Sequence, residues 1–411
     1  MLLRRLPLVI ALLVLVAAPS ARAAGPAATK RVLQREMARA GASSGAYVVD
    51  LGSGTELYAS RADVGRMPAS VNKLYTSATA LLRYGADGHL TTSVLSNGLP
   101  DETGTITGNV VIRGGGDPTF NSASASTLAK QLAGAGLQRV DGRVIGDESA
   151  FDAFRGVPAS GYRLTSEVGP LSALAFNHGR TGKAAPYYQA SPAKFTAQAF
   201  EKALEKEGVK ITGSARAGLT PEGMTPLSEF ESPPISAIVR LMNQPSDNYI
   251  AEMLIKGLGA QFGTAGSTTA GGTVVKDAVR DFGITPAVID GSGLSRSDRT
   301  TPREVVQLLR SMDESEAGVA FDESLPVAGR NGTLYNRMRG TAAQDRCHAK
   351  TGTLRDVSAL AGYCTTVGGE RVAFAFLMNS VYPSSARAVQ DRMTVALARY
   401  DAASRASRNR R

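Results

Sequence analysis

The chain has 411 residues, a formal charge of +10, and a composition of 43% hydrophobic and 20% charged residues. That length exceeds an ordinary single domain and predicts two. Three histidines and no H-E-x-x-H spacing leave little for metal chemistry, so no cofactor or metal is expected, and the absence of basic–aromatic interleaving argues against nucleic acid.

In chain order, residues 1–23 have the layout of a secretory signal peptide. Arg4 and Arg5 supply the charged start, residues 6–18 the apolar core and Ala21-Arg22-Ala23 the cleavage site. The apolar run is short for a membrane span, and no later stretch is longer. The mature chain is therefore expected to be exported, to cell wall, periplasm-like space or medium, without a transmembrane segment. Residues 27–40 predict a helix. Two strand-like runs flank Gly52-Ser53-Gly54 and predict a hairpin. Gly41-Ala42-Ser43-Ser44-Gly45 fits the G-x-S-x-G pattern of a nucleophile elbow. It joins a helix to a strand, however, whereas an elbow runs from strand to helix.

Residues 70–83 contain no Gly or Pro and predict a helix opening on Ser70-Val71-Asn72-Lys73. From 86 to 232 the texture becomes rich in Gly, Thr and Val. This stretch reads as an inserted β-rich domain, with a strand over 105–113, a helix over 124–138, a strand pair over 140–149 and a helix from Pro192 capped by Ser191. Gly114-Gly115-Gly116-Asp117-Pro118 lacks the Gly-Lys-Ser/Thr ending of a phosphate loop and predicts a tight turn. Helical periodicity returns at Pro234, and strands follow over 347–354, 357–366 and 371–380. The expected class is α+β, with an antiparallel sheet flanked by helices in two parts, 24–85 and 233–400, and the insert between them. Residues 401–411, with Arg405, Arg408, Arg410 and Arg411, read as a disordered basic tail.

Three short motifs carry chemistry. Ser70 and Lys73, three apart on a helix, present a hydroxyl beside an amine that can take its proton. Ser246-Asp247-Asn248 offers Ser246 as a proton relay between Lys73 and the leaving amine and Asn248 as a holder of a substrate amide. Lys350-Thr351-Gly352 offers Lys350 and Thr351 to a substrate carboxylate, with Gly352 leaving the strand edge open to an added peptide strand. The backbone N–H groups of Ser70 and Thr353 are candidate oxyanion donors. Alone, each motif is weak: Ser-x-x-Lys is common, and Ser-x-Asn is often a helix cap. Their order matches the S-x-x-K, S-D-N, K-T-G signature of class A β-lactamases and penicillin-binding proteins. His348 shares a face with Lys350, but Lys73 already supplies a base.

The chain resembles the D-alanyl-D-alanine carboxypeptidase/endopeptidase family, the type-4 (class C low-molecular-mass) penicillin-binding proteins of the S13 peptidase kind. Beyond the three motifs, Gly114-Gly115-Gly116-Asp117-Pro118, Gly146-Asp147-Glu148-Ser149-Ala150-Phe151, Asp290-Gly291-Ser292-Gly293-Leu294-Ser295-Arg296 and His348-Ala349-Lys350-Thr351-Gly352-Thr353-Leu354 carry the likeness. The resemblance implies a β-lactamase/transpeptidase-like domain, acylation of Ser70 by penicillin, peptidoglycan stem peptides as substrates and β-lactam antibiotics as covalent inhibitors. It also implies that Arg296 lines the substrate site. Two rivals stay open. One is a β-lactamase-type hydrolase, although Ser246 lies much further from Ser70 than class A spacing allows and Glu167-Val168-Gly169-Pro170 is a faint match to Glu-x-x-Leu-Asn. The other is a non-catalytic wall-binding scaffold.

Cys347 and Cys364 are equidistant from a turn at Arg355-Asp356. In a hairpin of that register they face each other across adjacent strands, and an exported compartment permits the disulfide. The alternative is two reduced core cysteines.

Overall fold

In the computed structural model the described residues are 23–182 and 188–405. The expected signal peptide, apart from Ala23, and the last six residues of the basic tail lie outside them.

The central sheet has five antiparallel strands in the order Cys347–Leu354, Val357–Thr365, Arg371–Asn379, Ser44–Asp50 and Glu56–Ser60. Side chains alternate across a strand, so each face of the sheet collects its own core. Ala46, Val48, Leu360, Phe374 and Phe376 pack with Leu33 and Met37 of the Pro26–Arg39 helix and with Met393 and Leu397 of the Pro383–Ala398 helix. On the other face Ala359, Ala361, Ala373 and Ala375 are small, which lets helices approach. Leu74, Val305, Leu308 and Met312 lie in that second core. Pro302–Asp313 is fixed at its start by a reciprocal Thr301–Glu304 capping box.

The nucleophile segment differs from a simple helix. Ala69–Asn72 is a 3₁₀ turn, and the α-helix proper runs Lys73–Tyr84. Residues 73 to 81 are all buried, so this helix is enclosed rather than amphipathic at the surface. Packed around it are Ile235–Asn243, Asn248–Phe262 and Thr268–Arg280. Gly41, at φ +79°, ends the first helix, so the Gly41–Gly45 run is a helix-to-strand connection.

The stretch between these two parts builds two sheets of its own. Thr225–Glu231, Thr91–Ser96, Val110–Gly114, Val144–Asp147 and Arg216–Ala217 form one; the first two pairings are antiparallel and the last two parallel. Thr105–Thr107, Arg139–Asp141 and Lys210–Ile211 form a parallel three-stranded sheet. The helices Ser122–Gly134 and Pro192–Lys206 cross over between the parallel strands, as parallel pairing requires. Their Leu128, Leu132, Phe200 and Leu204 fill the core against Val94, Val110, Ile112 and Val144.

Three local expectations fail here. The strand over 105–113 is two strands in different sheets, broken at Gly108 with φ +111°. Residues 140–149 are likewise divided between the two sheets rather than paired. Ser191 makes no side-chain cap bond. The tail expectation also changes: Ala402–Arg405 is a 3₁₀ turn, tied down because Asp401 N donates to Ala24 O at 3.1 Å and Ala402 N to Glu370 Oε1 at 2.5 Å.

Cys347 and Cys364 are direct partners across the edge hairpin and form a disulfide, with Cα atoms 4.1 Å apart. Thr365 N donates to Arg346 O beside them, which makes this a non-hydrogen-bonded pair, the narrower of the two antiparallel spacings.

Candidate active site

The three motifs converge although they lie far apart in the chain. Two of their turns hold non-glycine residues in the left-handed region: Ala69 at φ +48°, just before Ser70, and Ser246 at φ +64°. Such conformations cost about 1–3 kcal/mol each and persist where neighbours over-determine them. The neighbours are identifiable. Asn72 Nδ2 donates to Asp290 O (2.8 Å), Lys73 Nζ to Ser292 O (2.8 Å) and Thr76 Oγ1 to Gly291 O (2.8 Å), so three carbonyls of one loop grip the start of the helix. Gly293 permits that approach: a Cβ there would lie 1.9 Å from Ala69 O.

The loop is itself braced from below. Asp290 accepts from Gly293 N and Ser295 N, both at 2.7 Å. Glu252 Oε1 accepts from Ser292 N at 2.8 Å, and Asp298 Oδ1 from Ile289 N at 2.7 Å. Burial, reinforced by the charge of Asp290, pushes the Glu252 carboxyl up to about 8 and that of Asp298 up to about 9. Sequence reading missed this cluster. The available signal was Glu252 and Lys256 inside the otherwise apolar run 249–258.

Lys73 is fully buried, and its Nζ lies 3.0 Å from Ser70 Oγ, 2.7 Å from Asn248 Oδ1 and 2.8 Å from Ser292 O. Burial lowers its pKa to about 8, against the opposing pull of Asp290 and Glu252. A neutral amine has two N–H donors and one lone pair. Asn248 and Ser292 take the two donors, which leaves the lone pair for the Ser70 hydroxyl proton.

In the second motif the capping role falls to Asp247, which accepts from Ile250 N at 2.9 Å. Ser246 and Asn248 are thereby left to the cleft. Ser246 Oγ accepts from Lys350 Nζ at 2.8 Å, with no bond to Lys73 among the described residues, so the amide of Asn248 occupies the place by Lys73 expected for Ser246. Asn248 Nδ2 donates to Glu167 Oε2 at 3.2 Å. Each end of the Asn248 amide thus has one protein partner, and one N–H of Nδ2 stays available to the cleft that it lines.

Lys350 also departs from expectation. It is fully buried, bonded to Ser246 and to Thr351 O (3.0 Å), and burial with the nearby Lys73 charge holds its pKa well below the usual lysine range. Lys350 does not face the open cleft, so it is badly placed to be a carboxylate's main cation. Gly352 has a different reason to be glycine from the one expected. A Cβ there would lie 2.6 Å from Pro68 O and 3.1 Å from Ser70 N, so the third-motif strand packs directly on the nucleophile turn. Arg296 is not among the residues lining the cleft. Its guanidinium is held bidentately by Asp356 at 2.8 and 3.0 Å in the hairpin turn. His348 is bonded to Asp322 at 3.0 Å.

The open cleft has a volume of about 520 Å³. Ser70, Ser246, Asn248, Thr351 and Thr353 line it together with Glu167, Leu294, Thr333, Arg337, Arg387 and Asp391. Leu294 belongs to the Asp290–Arg296 stretch and Glu167 to the faint Glu-x-x-Leu-Asn match, whereas Thr333, Arg337, Arg387 and Asp391 carry no motif, because they come from the 332–337 segment and from the Pro383–Ala398 helix. The strand Cys347–Leu354 is the sheet edge beside it. Among the described residues no cluster of acids, cysteines and histidines could hold a metal, and no helix is long and apolar enough to cross a membrane.

Comparison with known proteins agrees with this geometry. The model of the D-Ala-D-Ala carboxypeptidase 3 (S13) family matches residues 28–163 and 178–400. A D-alanyl-D-alanine carboxypeptidase of Actinomadura sp. (strain R39) is 31% identical over 442 residues, covering 88% of this chain and 82% of the relative. Carboxypeptidase DacB of Mycolicibacterium smegmatis is 31% identical over 373 residues, covering 83% and 77%. Among solved structures, penicillin binding protein 4 (dacB) from Haemophilus influenzae superposes with a TM-score of 0.76 at 21% identity, covering 90% of this chain and 99% of that one. Matched over most of its length by the family model and by relatives of this identity, the chain belongs to the D-Ala-D-Ala carboxypeptidase 3 (S13) family.

Proposed function

We propose that this serine DD-peptidase cleaves the D-Ala–D-Ala bond of peptidoglycan stem peptides through an acyl-enzyme on Ser70, and that penicillin acylates the same hydroxyl. The observation that carries the reading is the Lys73 amine, buried and 3.0 Å from Ser70 Oγ, with its other bonds arranged to leave a lone pair there. In acylation Ser70 Oγ attacks the penultimate D-Ala carbonyl while its proton passes to Lys73. The N–H groups of Ser70 and Thr353 receive the developing oxyanion. The proton taken up by Lys73 then goes to the leaving D-Ala nitrogen, with the Ser246 hydroxyl, held at the cleft by its 2.8 Å bond from Lys350, as the relay, which leaves Lys73 neutral again. Water then hydrolyses the ester, with Lys73 returning as the general base.

The peptide docks as an added strand along the Lys350–Leu354 part of the sheet edge, because residues 326–328 already pair with Cys347–Ala349. The chain acts outside the cytoplasm; the N-terminal sequence and the Cys347–Cys364 disulfide support this.

The test combines two measurements. Wild-type protein releases D-Ala from a peptide ending in D-Ala–D-Ala and takes up a fluorescent penicillin, whereas Ser70→Ala does neither at an unchanged melting temperature. Labelling that persists at another serine defeats the assignment. Rapid turnover of penicillin instead of a lasting label would favour a β-lactamase-type hydrolase, and binding of the peptide without release of D-Ala would favour a scaffold.

A further inference from the structure

A peptide ending in D-Ala carries a carboxylate, and the cleft must neutralise it beside the third motif. Four cations lie near enough to be considered, and three are committed. Lys73 is spent on Ser70, Asn248 and Ser292. Lys350 is buried beneath Ser246. Arg337 forks onto Asp391 Oδ1, at 2.9 Å from Nε and 2.7 Å from Nη2, and also reaches Gln390 Oε1 at 3.2 Å; its side chain is only 13% exposed.

Arg387 is the exception. It lines the cleft from the Pro383–Ala398 helix and is exposed. Among the described residues its guanidinium makes one hydrogen bond, Nη2 to Thr353 Oγ1 at 3.1 Å, and no ion pair. That bond orients the group. It uses an acceptor site of Thr353, so the hydroxyl proton of Thr353 remains able to point into the cleft. The remaining guanidinium donors and the Thr353 hydroxyl then face the same space, at the end of the edge strand along which a peptide would lie. Planar forks of this kind match a carboxylate with two parallel hydrogen bonds.

We propose that Arg387, oriented by Thr353, is the receptor for the terminal carboxylate of the substrate peptide. The assignment rests on the DD-peptidase reading above and moves the carboxylate contact from Lys350 to a residue outside the three motifs.

The experiment compares two peptides that differ only at the end, one a free D-Ala–D-Ala acid and the other its D-alaninamide. Wild-type protein should prefer the acid. In Arg387→Gln, kcat/KM on the acid should fall by about 10- to 100-fold, the effect of losing a charged hydrogen-bond partner. The amide should change by less than about threefold, so the preference collapses; Arg387→Lys should restore part of it. Acylation by the methyl ester of a penicillin, which lacks the carboxylate, should fall no further than cleavage of the amide does, and an unchanged melting temperature should report an intact fold. An equal loss on both peptides, or a preference that survives in Arg387→Gln, overturns the assignment. Failure of the wild type to cleave either peptide would instead overturn the DD-peptidase reading, and this inference with it.

Discussion

The two outer parts of the chain and the stretch between them are stabilised in different ways. The middle stretch is locally consistent: strand, crossover helix and strand follow one another, and Leu128, Phe200 and Val144 meet in a continuous core. The outer parts are built from residues close in space and remote in sequence. Ser44–Asp50 pairs with Arg371–Asn379, and Ser70, Ser246 and Lys350 share one site. Around the site they carry unfavourable features: left-handed Ala69 and Ser246, the buried Lys73 and Lys350, and the buried carboxyls of Glu252, Asp290 and Asp298. Strain and buried charge are thus dense around the chemistry, while the middle stretch has a smaller share in left-handed Tyr162, Asn177 and His178 and in the buried Asp117 and Asp147.

The largest expected effect comes from the strained side of that division. Lys73→Ala should slow acylation by about 10²- to 10⁴-fold, the usual worth of a general base, measured as the rate of fluorescent penicillin uptake. In the wild type the same rate should rise with pH and level off above about 8. Lys73 is half neutral there, and only the neutral amine can accept the Ser70 proton. A flat profile would mean that another group is the base.

On the regular side, Phe200→Ala should cost about 3–5 kcal/mol of stability through transfer and cavity terms. The acylation rate of the folded molecules should hardly move. A parallel loss of rate would show that the two regions are not separable. Between these, Cys347→Ser with Cys364→Ser should cost about 2–4 kcal/mol, read from urea unfolding.

A smaller effect tests the buried acids. Glu252 is raised from the ordinary carboxyl range to about 8, so the folded protein holds a proton there that the unfolded chain has lost. Its contribution is fully present below about pH 4.5 and is lost as pH rises through 8. Glu252→Gln should flatten the stability curve over that window, and an unchanged slope would exclude this titration.

Much of the site could be read from the sequence because its chemistry sits in short motifs whose order is specific. The disulfide register followed from the symmetry of two cysteines about Arg355-Asp356, and the pairing of Leu354 with Val357 gives the same turn. What could not be read has physical causes. Side-chain direction is not encoded in a motif, so Lys350 was expected in the cleft and lies beneath it, while Arg296 was expected there and is held by Asp356. Arg337, Arg387 and Asp391 belong to surface segments with no distinguishing pattern and acquire meaning only when the last helix docks. In the middle stretch, a single glycine at 108 sends one apparent strand into two sheets, a choice made by tertiary pairing rather than by propensity.

Asn248 carries one further consequence. Its carbonyl oxygen meets the Lys73 amine and its amide nitrogen meets the Glu167 carboxylate of the middle stretch, so its two ends sense opposite partners. The amide cannot rotate without losing both bonds, so Lys73 and Glu167 together fix its orientation. Glu167 also acts on the amine directly, its negative charge raising the pKa of Lys73, so a displacement of Glu167 is felt as altered basicity of Lys73 although the two never touch.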